Sequence, residues 1–167
     1  HFRKLAGDWR GKHPEAGGAD LHVQYKVTGA GSAVVETLFP GTPHEMVSVI
    51  HYNHDALLLT HYCALGNQPR MKAEPVARVA GDNADVAPVK SIKFVFLDAT
   101  NMRGPTDAHM HAVTYTFIDD NHLKAEWVYY QDGKPGAEPT VFALERARGS
   151  TAQSPATPEK AAPGGAK

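Results

Sequence analysis

Short segments in which apolar and polar residues alternate recur along most of the chain, and turn residues stand between them. Leu21, Val23, Tyr25 and Val27 alternate with His22, Gln24 and Lys26, the period of a half-buried strand. Gly29-Ala30-Gly31 supplies a turn, and residues 32–39 resume the extended pattern. Residues 46–52 and 57–63 form a second pair around Asn53-His54-Asp55. Residues 90–97 follow, then 110–118 and 122–130 around Asp119-Asp120-Asn121. Asp132-Gly133 is a hairpin-turn signal, and residues 141–146 close the series. The spacing predicts about eight to ten strands. No long helical stripe is present, only a short helical turn around residues 2–6.

A string of hairpins must hide its open edges, and closing into an antiparallel up-and-down β-barrel does so. The expected fold is therefore all-β, a single barrel over residues 1–148, with a β-sandwich as the competing architecture. The 167 residues suit one domain. Residues 149–167 contain no apolar residue larger than alanine apart from proline, so they are read as a disordered tail. Lys and Arg total 17 against 18 Asp and Glu, a formal charge of -1 that argues against a strongly basic nucleic-acid binder. No apolar run approaches the ~20 residues of a membrane helix. One cysteine excludes an internal disulfide and fits either the cytoplasm or the periplasm. No signal-peptide series is present, and a secretion signal removed ahead of His1 is compatible with that. Oligomeric state is not legible.

Leu5-Ala6-Gly7-Asp8-Trp9-Arg10-Gly11 carries a Gly-x-Trp pattern, in which the tryptophan can close one end of a barrel. Here the chain resembles the calycin superfamily, whose lipocalins open their first strand this way. The fuller Leu-x-Gly-x-Trp-x-Gly form is similar to nitrobindin-like barrels. The resemblance implies that a basic residue of the last strand stacks over Trp9. Arg146 is the matching candidate and Arg148 the alternative. Residues 34–46 and 59–71 look like uncharacterised bacterial lipocalin-like proteins, which implies a barrel and no particular activity.

Ten histidines invite a chemical reading. By period two, His61 and Cys63 share a face with Leu57 and Leu59, and His109 and His111 share one with Val113, Tyr115 and Phe117. Trp127 and Tyr129 share a face on the next strand. With these faces inward, the histidines gather toward one end of a cavity, which His44, Glu45 and Arg70 can reach from loops. The leading expectation is a binding site for a small, largely apolar or amphipathic molecule. Ile92, Phe94, Phe96, Val113, Tyr115, Phe117, Trp127 and Tyr129 would form its walls, and His61, His109, His111 and Arg70 its polar end.

The rival expectation is a metal-dependent hydrolase or isomerase. His109, His111 and His61 would hold a divalent metal and activate a water, with Glu45 or Glu126 as base. Nitrobindin-like barrels bind haem through one histidine, which the resemblance raises here without identifying the ligand. Copper at the His1 amine and imidazole would require His1 to be the mature terminus. Cys63 beside His61 is a candidate nucleophile, with a small buried hydrophobe as its ordinary role. A barrel serving only as an interaction scaffold is the remaining class.

Overall fold

In the computed structural model the described residues are 1–13, 17–75 and 90–150. The chain opens with a 3₁₀ turn, η1 (Phe2–Leu5), and continues almost entirely as strands. These are β1 (Gly7–Lys12), β2 (Asp20–Thr28), β3 (Ala33–Leu38), β4 (Met46–Asn53), β5 (Ala56–Tyr62) and β6 (Gln68–Ala73). Then come β7 (Ser91–Thr100), β8 (His109–Phe117), β9 (His122–Gln131), the two-residue β10 (Lys134–Pro135) and β11 (Thr140–Arg146). Each long strand pairs antiparallel with its neighbours. The β1–β11 and β8–β9 pairings close the ring into a ten-stranded barrel, with β10 a short flap on β9. Closure decides against the sandwich. Among the described residues no helix is long and apolar enough to cross a membrane.

The turn chemistry sets the register. Asp132 and Gly133 both have positive φ, 53° and 77°, as a two-residue hairpin of matching twist requires. Between β8 and β9, Asp119 Oδ1 accepts the Asn121 N–H at 2.7 Å. Gly11 lies so near β11 that a Cβ there would stand 2.3 Å from the Ala143 carbonyl oxygen, so this position excludes any side chain.

Trp9 is fully buried and donates its indole N–H to the Leu5 carbonyl at 2.7 Å. The Arg146 guanidinium lies over its ring at 4.4 Å and donates to the carbonyls of Lys4, Ala6 and Asp120. First turn, first strand and last strand are thereby tied together at one end of the barrel. Phe2 adds edge contacts to Tyr115 and Phe117, with ring centroids at 5.1 and 5.4 Å. Of the segment read as a tail, residues 151–167 lie outside the described residues. The hydroxyl of Ser150 accepts the Asp8 N–H at 2.6 Å.

The lumen is filled in rows that follow the cross-strand register. Val34, Ile50, Leu59 and Met71 stand side by side across β3–β6, all buried. The neighbouring row is polar: Tyr25, Glu36, Ser48 and His61 across β2–β5. Phe94, Val113, Tyr115 and Trp127 close the wall opposite.

Candidate functional site

The polar row is the most unusual part of the interior. Glu36 is fully buried, and its carboxylate accepts the hydroxyls of Tyr25 at 2.7 Å and Tyr115 at 2.9 Å. Burial pushes its pKa up, while hydrogen bonds from Tyr25, Ser48 and Tyr115 pull the other way. The same burial, with the Glu36 charge beside them, holds both phenols well above their usual range. Ser48 Oγ lies 3.0 Å from His61 Nδ1, and the His61 ring packs on Trp127 with centroids 4.7 Å apart. Burial depresses the His61 pKa to about 4, so the imidazole is neutral at pH 7.

His109 and His111 form a separate cluster near the other end of β8. The β7–β8 ladder runs from Ser91↔Thr116 to Val95↔Ala112, and beyond it β8 pairs only with β9. The β8–β9 register shifts between Met110 and Ala112, leaving His111 in a bulge. The period-two count that put His109 and His111 on the Val113 face therefore fails: His109 is opposite Tyr130. The His111 ring is sandwiched between Phe96, at 5.0 Å, and Tyr130, at 4.4 Å. His109 Nδ1 donates to the Asp107 carbonyl at 2.7 Å, so its Nε2 accepts from His111 Nδ1 at 3.0 Å when both rings are neutral. Burial, and then the neighbouring His109, lower the His111 pKa. Phe96, His109, His111 and Tyr130 line a shallow cleft of about 400 Å³ with Met102 and Arg103.

The larger cavity, about 930 Å³, lies at the barrel mouth beside η1. Inward-facing Phe2, Val34, Ile50, Leu57 and Ile92 form its apolar floor. Arg3, His51, Asp55, Lys72 and Glu74 stand around its rim. Glu74 is paired with Lys93, whereas Arg3 and Lys72 have no ion-pair partner among the described residues. Of the walls expected from the sequence only Ile92 lines this cavity; His44, His61, His109 and His111 do not, and His1 does.

The remaining candidates are dispersed. Arg70 forms a two-pronged ion pair with Asp98, whose carboxyl it holds below the usual range, on the outside of the barrel. His44 and Glu45 are exposed, and Glu45 accepts the Gly41 N–H at 2.6 Å. Cys63 follows β5, and burial pushes its thiol pKa up, the opposite of an activated nucleophile. Phe94, Tyr115 and Trp127 are core residues; half-buried Tyr129 donates its hydroxyl to Gln131 at 3.0 Å. Glu126 pairs with Lys124.

The metal trio does not assemble. Among the described residues no group of three His, Cys, Asp or Glu is placed to hold a metal ion, and His61 keeps company with Ser48 and Trp127 rather than with His109 and His111. His61 lines neither cavity, whereas His1 and His51 line the larger one and His109 and His111 the smaller. Glu36 and Ser48 escaped the sequence reading, although both share parity with the apolar side of their strands, Val34 and Leu38 in one case and Ile50 in the other.

No protein-family model matches the chain, and no curated protein matches it. Among solved structures it is similar to Rv2717c from M. tuberculosis, with a TM-score of 0.51 and 16% identity. The match covers 87% of this chain and 94% of that one. At this identity the likeness shows a shared barrel fold and nothing more.

Proposed function

We propose that this barrel binds a small amphipathic anion, with an apolar tail on the floor of the mouth cavity and an acidic head at its rim. The observation that carries the reading is the composition of that cavity: inward-facing apolar side chains below, and above them Arg3 and Lys72, which have no ion-pair partner among the described residues. A volume of about 930 Å³ is at the upper end of ordinary ligand sites. Each methylene removed from water contributes roughly 0.8 kcal/mol, so a chain of ten or so carbons can offset the entropy of association. The cations fix the orientation and contribute less, because rim charges remain hydrated.

Dodecanoate is the probe for this reading. Calorimetric titration is expected to give saturable one-to-one binding with Kd on the order of 10 µM. Leu57→Arg, which places a charge on the floor, is expected to abolish the heat. Lys72→Glu and Arg3→Glu should each weaken binding by about tenfold, ~1.4 kcal/mol. Dodecanol binding as tightly as dodecanoate would remove the acidic head from the proposal, and absence of saturation with both would remove the site.

A further inference from the structure

The smaller cleft holds an imidazole whose protonation pattern the backbone dictates. The Asp107 carbonyl only accepts, so His109 Nδ1, 2.7 Å away, carries a proton. With both rings neutral, His109 Nε2 is then an acceptor, and His111 Nδ1, at 3.0 Å, carries the proton that meets it. Burial lowers the His111 pKa, which favours this form. His111 Nε2 is thereby left as a bare acceptor. It has no hydrogen-bond partner among the described residues and, unlike His61 Nε2, it is not sealed from solvent. Phe96 and Tyr130 cover the two faces of the ring, nearly parallel to it at 14° and 17°. With both faces and Nδ1 engaged, only the edge that bears Nε2 remains to meet a ligand.

The surroundings of that nitrogen select the ligand. A bare acceptor calls for a donor, and an aryl hydroxyl, being acidic, is a strong one. Leu97, Met102 and Pro105 give the cleft apolar walls, and its volume of about 400 Å³ admits one substituted ring. Apart from the histidines, two charged residues line it. Asp98 is held by Arg70, whereas the Arg103 side chain has no ion-pair partner among the described residues. The Arg103 backbone N–H donates to Asp107 Oδ2 at 2.6 Å, so the loop that carries this cation is fastened to the residue whose carbonyl orients His109. We propose that the cleft binds a small hydroxyaryl carboxylic acid, whose hydroxyl donates to His111 Nε2 and whose carboxylate faces Arg103. The site shares no residue with the mouth cavity, so it stands or falls separately from the binding reading given above.

Nitrogen-15 spectra of the imidazoles in the full-length protein test the first step without a ligand. His111 is expected to carry its proton on Nδ1 at neutral pH, and a proton on Nε2 instead would overturn the proposal. 4-Hydroxybenzoate is the probe for the second step. It is expected to shift His111 Nε2 saturably. It should bind roughly tenfold more tightly than 4-methoxybenzoate, which cannot donate, and than phenol, which has no carboxylate. His111→Phe keeps a ring between Phe96 and Tyr130 and removes the nitrogen, so it should abolish the preference for hydroxyl over methoxy. Arg103→Gln should abolish the preference for the acid over phenol. Lys72→Glu, at the mouth, should leave all three affinities unchanged. The comparison of the three compounds on the parent protein needs no variant, so it decides the matter even where His111→Phe does not fold. Equal affinity for 4-hydroxybenzoate and either of the other two, or a His111 Nε2 signal that does not respond, would overturn the proposal.

Discussion

Trp9→Ala is expected to destabilise the barrel by about 3–5 kcal/mol, the range for truncating a buried tryptophan. The indole is fully enclosed, spans the junction of η1, β1 and β11, and is the surface on which the Arg146 guanidinium rests. Its removal deletes apolar contact, the 2.7 Å bond to the Leu5 carbonyl and the cation–π contact together. A domain of this size has roughly 5–15 kcal/mol in total, so the urea midpoint should fall by a large fraction. Trp9→Phe keeps the plate and loses the N–H, so it should cost about 1–2 kcal/mol. A cost below about 1 kcal/mol for Trp9→Ala would mean that another element closes this end.

Acid should destabilise the protein through His61 by about 3 kcal/mol between pH 6.5 and pH 4, at ~1.4 kcal/mol per pH unit. The folded ring resists a proton until about pH 4, while the unfolded chain takes one near 6.5. The unfolded state therefore binds more protons across this window, and stability falls as pH falls. Glu36 works in the opposite direction. Its raised pKa contributes stability that is present below the ordinary glutamate value and lost as pH rises through the folded one. His111, also lowered but more exposed, adds in the direction of His61. The difference in urea stability between the parent protein and His61→Gln, followed from pH 7 to pH 4, isolates the His61 contribution. Parallel pH profiles for the two proteins would show that His61 is not held neutral by burial.

Much of the barrel was legible because its local rules agree with one another. The alternation at Leu21–Val27 survives intact in β2, and the Asp132-Gly133 signal becomes a hairpin with both residues at positive φ. The pairing of Trp9 with Arg146 followed from a resemblance covering only the two ends of the domain. β6 was harder to see as a strand because Pro69 sits inside it, where a missing N–H ordinarily argues against pairing. The site was legible in part. Parity carried His61, Phe94, Tyr115 and Trp127 into the lumen. It failed for the His109–His111 pair because one bulge residue resets the count, and nothing in His109-Met110-His111 announces a bulge.

Glu36 could have been picked out as a polar residue on an apolar face. Its partner Tyr115, however, lies 79 positions away and comes near only when the ring of strands closes. The mouth cavity has no local signature at all. Phe2, Val34, Ile50, Leu57 and Ile92 come from five separate elements, and only closure gathers them around one space.

A crystal structure of the protein with dodecanoate is the sharpest test of the account. It should show the chain of the fatty acid lying between Phe2 and Ile50, with its carboxylate within hydrogen-bonding reach of Arg3 or Lys72. A mouth that stays free of the ligand at saturating concentration, or a fatty acid bound on the outer wall instead, would contradict it.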